Sequence, residues 1–472
     1  MEQIETFISQ LQNTFYNSTD FVAREIDWPS EPFAVICYYS SLVNKKDVQE
    51  QLDVVKFQAV QKGVKWPDSI SSSQEEFNLK DAIKYVCAGE TLIILLNKNQ
   101  VVRLNLPDIA HRTPDEPVNE LIIRGSHEGL VENFDTNMAL IRKRLHIPEL
   151  VVRQKTIGKN TNTKLHYLYI ANKVKKETIL EMERRINAID AEEVYSAGLV
   201  GDYLEDSIYS PFPQLLNTER PDRVVANLVE GKVVVLTDIS PTAFIAPVTF
   251  FSFYQSPDDY NSRVLVGSFY RIVRLLSFFT AIFLPAIYIA VISFHFEVLP
   301  LELSQRVKMD VSQIPYRPII EALILEIIIE LIREASIRLP QSLVQTIGIV
   351  GGLVVGDVIV SAGLVSNMMV IVVALTAISS FVVPSNELST SVRILRFPFM
   401  FISALFGFFG ILIGILTLFI HLLNLKSINQ PYFSPVVPFE PSEFKKIFFR
   451  VPYYKANVQV TSFQPKGHEE KK

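Results

Sequence analysis

The sequence predicts an α+β cytosolic N-terminal region of two subdomains, followed by an α-helical polytopic membrane domain. Charged residues are concentrated before Arg274, and long apolar runs follow it. The longest apolar run lies between Pro340 and Pro384, and its only charged residue is Asp357. One continuous helix of that length would be roughly 60 Å long, about twice the hydrocarbon core of a bilayer. We therefore expect the run to break near Ser361–Asn367, where polar residues and a glycine interrupt it.

The overall composition agrees with this division and argues against a nucleic-acid-binding or exported protein. The 472 residues are 49% hydrophobic, and the formal net charge of −5 gives no sign of nucleic-acid binding. Cys37 and Cys87 are the only cysteines and both lie in the polar half, which predicts reduced thiols facing a cytosol. The first twenty residues contain no apolar core of signal-peptide length, so we do not expect the whole protein to be exported.

Residues 1–120 are predicted to form a first, small α/β subdomain. Phe33–Tyr38 and Thr91–Leu96 contain the β-branched and aromatic residues typical of buried strands, and Lys45–Gln61 has a helical pattern. His111 lies beside a proline-containing loop, where a solvated histidine is expected rather than a ligand. We find no catalytic constellation in this segment of the sequence.

Residues 121–265 are predicted to form a second α+β subdomain. Asp135 can cap a helix that runs through Arg144, because its carboxylate accepts hydrogen bonds from the free amides of the first turn. Leu150–Ile157 and Lys164–Ala171 flank a turn and predict a β-hairpin. The other expected elements are helices over Lys176–Ile189 and Asp222–Glu230, the second ended by Gly231, and a strand over Val233–Leu236.

A proline-rich connector, Ser210–Gln214 and Thr218–Asp222, lies within the second subdomain. Prolines fix φ and remove backbone donors, so we expect the connector to be rigid, extended and non-helical. Its Glu-Arg pair has two interpretations: a surface that docks a partner, or a structural salt bridge. The candidate docking residues are Pro211, Pro213, Glu219, Arg220 and Pro221.

The membrane domain is predicted over residues 266–425, and a cytoplasmic tail over 426–472. Basic residues precede the first span, and such residues mark the cytoplasmic side of a membrane. Four spans would therefore place both the polar region and the tail inside, although Arg393 and Arg396 would then face outward. The spans are expected near residues 275–296, 343–360, 364–383 and 397–419.

Between the first two spans, segment 319–339 predicts an amphipathic helix with six charges. At 100° per residue, these charges fall within an arc of about 140°. A lone lipid-facing span is unfavourable, because each central charge costs roughly 3 kcal/mol against about 0.5 kcal/mol gained per Leu or Ile. We expect the helix either to lie along the membrane interface or to line an aqueous path. Its charged residues are Glu321, Glu326, Glu330, Arg333, Glu334 and Arg338.

The span near 343–360 carries a row of glycines, Gly348, Gly352 and Gly356, at i, i+4 and i+8. Helices in lipid associate by close packing, so the glycine row is a candidate contact surface. Two interpretations stay open: ordinary packing within one chain, or copies of this helix around a pore. In the second case Asp357 would belong to the lining and would influence ion preference.

Several motifs in the sequence point to one family. From Arg124 onward they make the chain resemble the A subunit of bacterial spore germinant receptors, the GerA type. The resemblance covers about two thirds of the chain, and the first 120 residues match only loosely. The motifs include Glu128–Asn133, Ser210–Gln214, Thr218–Asp222, Pro247–Phe251, Ile332–Ala335, Ala362–Ser366, Met369–Ala377 and Arg393–Pro398. The sequence departs from the family pattern at Asp357, where an uncharged residue is common.

The resemblance implies a subunit of a nutrient-sensing complex in the spore inner membrane that triggers germination with early ion release. It implies two partners, a transporter-like B subunit and a lipoprotein C subunit, with nutrient recognition as the task of the B subunit. For this chain it implies a homo-oligomeric, ion-conducting or signal-transducing element. The alternative is a non-conducting scaffold that docks partner subunits through its cytosolic domain.

An enzyme is disfavoured by the sequence. The seven histidines show no metal-ligand spacing, and neither a Walker-type glycine loop nor a nucleophile elbow is present. We therefore expect no catalytic residues, no metal and no cofactor.

Overall fold

A computed structural model describes residues 2–28, 31–43, 74–96, 99–104 and 125–451, together with positions 46, 48–50, 52–53, 117 and 120. Two antiparallel sheets with their helices are followed by a bundle of apolar helices, which confirms the predicted fold class. The helix predicted over Lys45–Gln61 lies largely outside the described residues, and so do His111 and the tail beyond Val451.

The first sheet has five strands in the order β1-β2-β4-β5-β3, and all described neighbours are antiparallel. The strands predicted near 33–38 and 91–96 are confirmed as a central pair, β2 and β4. The elements are α1 (Glu2–Thr14), β1 (Phe21–Trp28), β2 (Glu31–Tyr39), β3 (Gln74–Glu76), α2 (Leu79–Cys87), β4 (Thr91–Leu95) and β5 (Gln100–Leu104).

Both cysteines are free and buried in the core of this first region. Burial raises the pKa of the Cys37 thiol to about 12 and that of the Cys87 thiol to about 11. Because the thiolate is the reactive form, both side chains act as small apolar residues of the core at neutral pH.

The second sheet is also antiparallel, in the order β6-β7-β9-β10-β8, and the predicted hairpin is confirmed as β6 and β7. The elements are α3 (Phe134–Arg142), β6 (Leu150–Ile157), β7 (Thr163–Ile170), α4 (Lys176–Asn187), α5 (Ala197–Leu204), β8 (Leu216–Thr218), α6 (Pro221–Val229), β9 (Val233–Thr237) and β10 (Ala243–Ala246).

The cap of α3 differs from the predicted one. Asn133, not Asp135, has extended backbone angles, and its side-chain oxygen accepts a hydrogen bond from Thr136 N at 3.0 Å. Asp135 instead lies in the first turn, where the negative charge of its side chain interacts favourably with the positive end of the helix dipole. Asn and Asp cap helices about equally well, so the residue type alone did not distinguish them.

His166 in β7 predicts a pH-dependent stability of the second sheet. It is buried and stacks on Phe134 with ring centroids 3.5 Å apart. Burial, assisted by the charge of Lys164, lowers its pKa from 6.5 to about 4. As the pH falls below 6.5, the unfolded chain binds a proton that the folded chain does not. We expect stability to fall by about 1.4 kcal/mol per pH unit until the pH approaches 4.

The measurement is the unfolding midpoint of the full chain in detergent between pH 7 and pH 4. His166→Gln should remove this part of the pH dependence, whereas His146→Gln, at an exposed position, should retain it. Equal slopes for His166→Gln and the unmodified chain would contradict the assignment.

The C-terminal half consists mainly of helices. Among the described residues, two helices, Val264–Phe294 and Asn386–Asn424, are long and apolar enough to span a membrane. The elements are a 3₁₀ turn (Phe250–Phe253), α7 (Pro257–Asn261), α8 (Val264–Phe294), a second 3₁₀ turn (Phe296–Val298), α9 (Leu301–Ser312), α10 (Pro318–Arg338), α11 (Gln341–Leu353), α12 (Asn367–Phe381), α13 (Asn386–Asn424), a two-stranded ladder of β11 (Lys426–Ser427) and β12 (Gln430–Pro431), and α14 (Pro441–Phe448).

The long apolar run breaks where the sequence predicted. Helix α11 continues through a π-helical turn, Val354–Val358, to Ser361. Gly363 then adopts a φ of +65°, a value that glycine reaches without a steric penalty. Helix α12 begins at Asn367, with Ser366 as its cap. The run therefore forms two helices joined by a short turn.

Helix α13 is a tight helical hairpin, unlike the single straight span expected over 397–419. Gly407 has non-helical angles of φ 60° and ψ −139°, and the chain reverses there. A Cβ on Gly414 would lie 2.5 Å from the Phe399 ring, so the segments 386–406 and 408–424 pack side by side. The reversal lies against His295, next to the last residue of α8.

Candidate functional site in the helical bundle

Helix α10, which carries the predicted charged face, lies inside the bundle in contact with α8, α11, α12 and α13. Glu321 and Glu326 in its N-terminal half are buried. Its last turns are more open, and there Arg338 pairs with Glu334 at 2.6 Å with both side chains exposed. The helix thus turns its first acidic residues towards the buried interior of the bundle.

Glu326 and Arg396 form an ion pair in the middle of the bundle. Arg396 Nη1 donates to Glu326 Oε2, and both side chains are at most 2% exposed. Arg396 Nε also donates to the Ala281 carbonyl at 2.9 Å, so the guanidinium links α13, α10 and α8. Glu326 Oε1 and Arg396 Nη2 are buried and have no hydrogen-bond partner among the described residues. A desolvated pair of this kind contributes little net stability, but the loss of one partner is costly.

A second group of charges lies one turn further along α10. Glu330 accepts from Arg393 of α13 at 2.8 Å and from Arg333 at 3.4 Å. Arg333 Nη2 donates in turn to Ser380 Oγ of α12 at 3.1 Å. These contacts continue the ion pair of Glu326 and connect three helices through charged side chains.

Glu321, near the start of α10, differs from the acids that follow it because it contacts no basic side chain in the described part of the chain. Its Oε2 accepts from the backbone N–H of Ser366 at 2.9 Å, in the turn before α12. Its Oε1 is buried without a hydrogen-bond partner. The hydroxyl oxygens of Ser366 and Tyr288 of α8 lie 3.4 Å apart beside it.

The glycine row of α11 is open on this single chain. A Cβ added at Gly348, Gly352 or Gly356 would meet no atom of the described residues within 4 Å. Gly351 lies on a different face, where its Cβ would be 2.7 Å from Ile332 of α10. Packing of α11 on α10 therefore uses Gly351, and in the part of the chain that the structure describes the predicted row packs against nothing.

Asp357 lies in the π-helical turn at the end of that row and is exposed. Such turns are rare and occur often at functional sites, since one extra residue re-aims the side chains that follow. The structure therefore places Asp357 beside the glycine row, on a surface that the described residues of a single chain leave uncovered.

The proline-rich connector contacts the open end of the α13 hairpin. Ser210 Oγ lies 2.9 Å from His421 Nε2, and Ser391 Oγ donates to the Pro211 carbonyl. Tyr432 Oη donates to the Pro213 carbonyl at 2.7 Å. The connector is thus covered, at least here, by helix ends and tail of its own chain, and this end of the bundle is called the connector end below.

The second half of the connector contains a salt bridge, but not between the expected residues. Arg220 is buried and pairs with Asp222 at 2.6 Å, while the Glu219 carbonyl accepts from Leu130 N at 2.7 Å. Pro221 occupies the first turn of α6, where its missing N–H costs nothing. These contacts give Arg220 and Pro221 structural roles within the chain.

Comparison with known proteins decides the family. The protein family described as "Bacillus/Clostridium GerA spore germination protein" matches residues 9–461, which is nearly the whole chain. The chain belongs to the GerA family. Its match begins well before Arg124, so the family relationship extends into the first sheet, where the motifs of the sequence matched only loosely.

Relatives of this GerA-family chain cover most of its length. "Spore germination protein A1" of Bacillus subtilis is 39% identical over 84% of this chain and 83% of its own length. "Uncharacterized membrane protein YfkQ" of the same organism is 37% identical over 92% and 86%. "Spore germination protein GerLA" of Bacillus cereus is 37% identical over 81% and 78%.

A solved structure also aligns with the GerA-family chain. It is the N-terminal domain of the A subunit of the Bacillus megaterium spore germinant receptor GerK3, and the TM-score is 0.37 at 23% identity. The alignment covers 51% of this chain and 93% of that domain.

The sequence did not identify Arg393 and Arg396 as the partners of Glu330 and Glu326 in the candidate site of this GerA-family chain. Both were expected to face outward at the start of the last span. In the structure they lie in the first half of the α13 hairpin, where they pair with Glu330 and Glu326. Arg393 and Arg396 are three residues apart, and Glu326 and Glu330 are four residues apart, so each pair lies on one face of its helix. These two faces, one basic and one acidic, were the available signal in the sequence.

Proposed function

We propose that this chain is the A subunit of a nutrient-sensing spore germination receptor, and that it oligomerises in the membrane as an ion-conducting or signal-transducing element. The open glycine row of α11 carries the proposal. A helix face without side chains allows close backbone approach, which is the main source of helix association in lipid. A second copy of the chain supplies the partner that the described part of a single chain does not.

The arrangement of the helices supports a topology in which the chain enters and leaves the helical bundle on the same side of the membrane. Contacts of Ser391 and His421 hold the two ends of the α13 hairpin at the connector. The reversal at Gly407 lies at the opposite end, beside His295. We propose that α8, α10, α11, α12 and the two halves of α13 cross the membrane, with the sheets and the tail on the cytoplasmic side of the spore inner membrane.

The buried charges support a role beyond anchoring. Charged residues inside a membrane bundle are costly, and they persist where they pair or line a path for ions. Glu326, Glu330 and Arg333 of α10 pair with one another or with Arg393 and Arg396 of α13, so a shift of either helix must change the charge pairing. Such a network suits an element that transmits a signal or gates an ion path.

Gly352→Leu tests the oligomeric conducting function. We expect the variant to fold, because no atom of the described chain lies within 4 Å of the added Cβ, but to change or abolish channel gating in planar bilayers. Val350→Leu adds bulk at an exposed position off the row and is the matched control. Native mass spectrometry of both variants reports assembly. Unchanged openings from a fully assembled Gly352→Leu complex would contradict the pore.

Asp357→Asn tests the lining directly. If Asp357 faces the conducting path, removal of its charge should lower the preference for cations over anions, since a ring of carboxylates attracts cations. The reversal potential under a salt gradient measures this preference. An identical reversal potential in the variant would exclude Asp357 from the path.

A non-conducting scaffold remains the second candidate, because the second sheet region exposes apolar side chains. Tyr195, Ile208 and Tyr209 are all more than half exposed. Exposed aromatic residues are typical of protein contact surfaces, and partner B and C subunits could dock there. Tyr209→Ser should then weaken co-purification of the partner subunits while ion flux from the assembled complex stays unchanged.

A further inference from the structure

We propose that Glu321 is a proton-binding site inside the helical bundle, a carboxylic acid that stays protonated at neutral pH. The inference concerns one chain and holds whether or not the chain forms a pore. It rests on the surroundings of this side chain, which differ from those of every other acid on the inner face of α10.

The burial of Glu321 is nearly complete. Its side chain is 1% exposed, and a buried apolar cluster includes both Ala322, the next residue along α10, and Val365, the residue before its hydrogen-bond partner Ser366. A carboxylate removed from water into such surroundings loses several kcal/mol of hydration, and it ordinarily recovers this by pairing with a cation or by taking up a proton.

The described surroundings contain no cation to pair with Glu321. Tyr288 is the titratable group that faces it from α8, and Asp310 of α9 acts electrostatically on the same tyrosine. In the turn before α12 it meets Ser366, and the residue that α13 contributes to the apolar cluster of Ala322 and Val365 is the uncharged Met400. Glu326 and Glu330 on the same helix already have arginine partners.

The hydrogen bonds favour a proton over a metal ion. Oε2 accepts from Ser366 N at 2.9 Å, which a neutral carboxyl also does. Oε1 has no partner among the described residues, so an ionised group would leave half of its charge unsatisfied. A hard metal cation takes six or more oxygen ligands, whereas the described side chains around Glu321 supply only the carboxyl and two hydroxyls.

Protonation has a mechanical consequence. The neutral acid lets α8, α10 and the turn before α12 meet around Ser366, whereas loss of the proton leaves an unpaired charge that needs water. Release of the proton should therefore loosen this junction. The site would couple proton binding to the packing of three helices.

Infrared spectroscopy of the full chain in nanodiscs tests the site. At neutral pH we expect a carbonyl-stretch band of a protonated carboxylic acid, which Glu321→Gln removes and Glu326→Gln retains. Glu321→Gln keeps the shape of the neutral acid, so its melting temperature at pH 7 should equal or exceed that of the unmodified chain. Glu326→Gln leaves Arg396 without its partner and should melt lower.

Two results would overturn the inference. The first is an unchanged carboxylic acid band in Glu321→Gln, which would show that the residue is ionised. The second is a melting temperature that rises when a bulky organic cation in the buffer is replaced by Na⁺ or K⁺, in the unmodified chain but not in Glu321→Gln. That result would assign an alkali ion to the site. Both readouts are independent of conductance, so a failed pore leaves this test intact.

Discussion

Asp20→Asn is expected to separate the two sheet regions and to lower the free energy of unfolding by about 3–5 kcal/mol, the usual cost of removing one partner of a buried ion pair. Arg142 of α3 donates to both carboxylate oxygens of Asp20, at 2.6 and 2.8 Å, and both side chains are at most 3% exposed. The guanidinium also stacks 3.5 Å over the ring of Tyr39 in β2. Without Asp20, its charge would stay buried and unpaired.

Neighbouring hydrogen bonds place this pair at the junction of the two regions. Ser18 and Ser41 donate to Asp20 at 2.7 and 3.2 Å. Thr19 N donates to the Val152 carbonyl of β6 at 2.9 Å, and Val152 N donates to Ser18 Oγ at 3.0 Å. The loss of Asp20 therefore affects contacts with the edge of the second sheet as well as the core of the first.

Unfolding of the full chain in detergent, followed by circular dichroism, measures the effect. Asp190→Asn is the control, because it removes an exposed pair with Lys159 that solvent screens and that should contribute little to stability. A double variant with Arg142→Met should be less unstable than the sum of the single losses, since both charges are then absent. An Asp20→Asn chain as stable as Asp190→Asn would show that water reaches this junction.

The local elements of the fold were predictable because they depend on neighbours in the sequence. The strands of β6 and β7 followed from runs of β-branched and aromatic residues around a glycine turn. The break after Ser361 followed from helix length and from Gly363, which adopts the left-handed conformation. Elements of this kind are set by backbone preference and periodicity within about ten residues.

The reversal at Gly407 was not predictable in the same way. Gly407, Gly410 and Gly414 form a spaced set within an apolar run, which predicts packing against another helix. The packing exists, but the partner of Gly414 is Phe399 in the same hairpin. A positive φ at one glycine decides between a straight helix and a hairpin, and the sequence contains no signal for that angle.

The charged contacts of the candidate site depend on this reversal. Arg393 and Arg396 are more than sixty residues from Glu330 and Glu326 along the chain. The periodicity of α10 identified which face carries the acids, but not which helix would meet that face. The connector shows the same limit, because its partners Ser391 and His421 lie in α13, far along the sequence.

Arg396→Gln is expected to be the most damaging single change in the bundle, again by about 3–5 kcal/mol. Glu326 is fully buried, and among the described residues Arg396 is the basic side chain that donates a hydrogen bond to it. The variant would also lose the hydrogen bond from Arg396 Nε to the Ala281 carbonyl of α8. We expect a lower melting temperature of the full chain in detergent and weaker packing of α13 on α8.

The comparison with Arg338→Gln decides what the interior of the bundle is like. Arg338 pairs with Glu334 where both side chains are exposed, and its loss should cost less than 1 kcal/mol. The double variant Glu326→Gln with Arg396→Gln should recover part of the loss, because no charge is then left unpaired. If Arg396→Gln is instead as mild as Arg338→Gln, water must reach Glu326 in the folded chain. That outcome would contradict a dry network and favour an aqueous path along α10, with Glu326 and Glu330 on its wall.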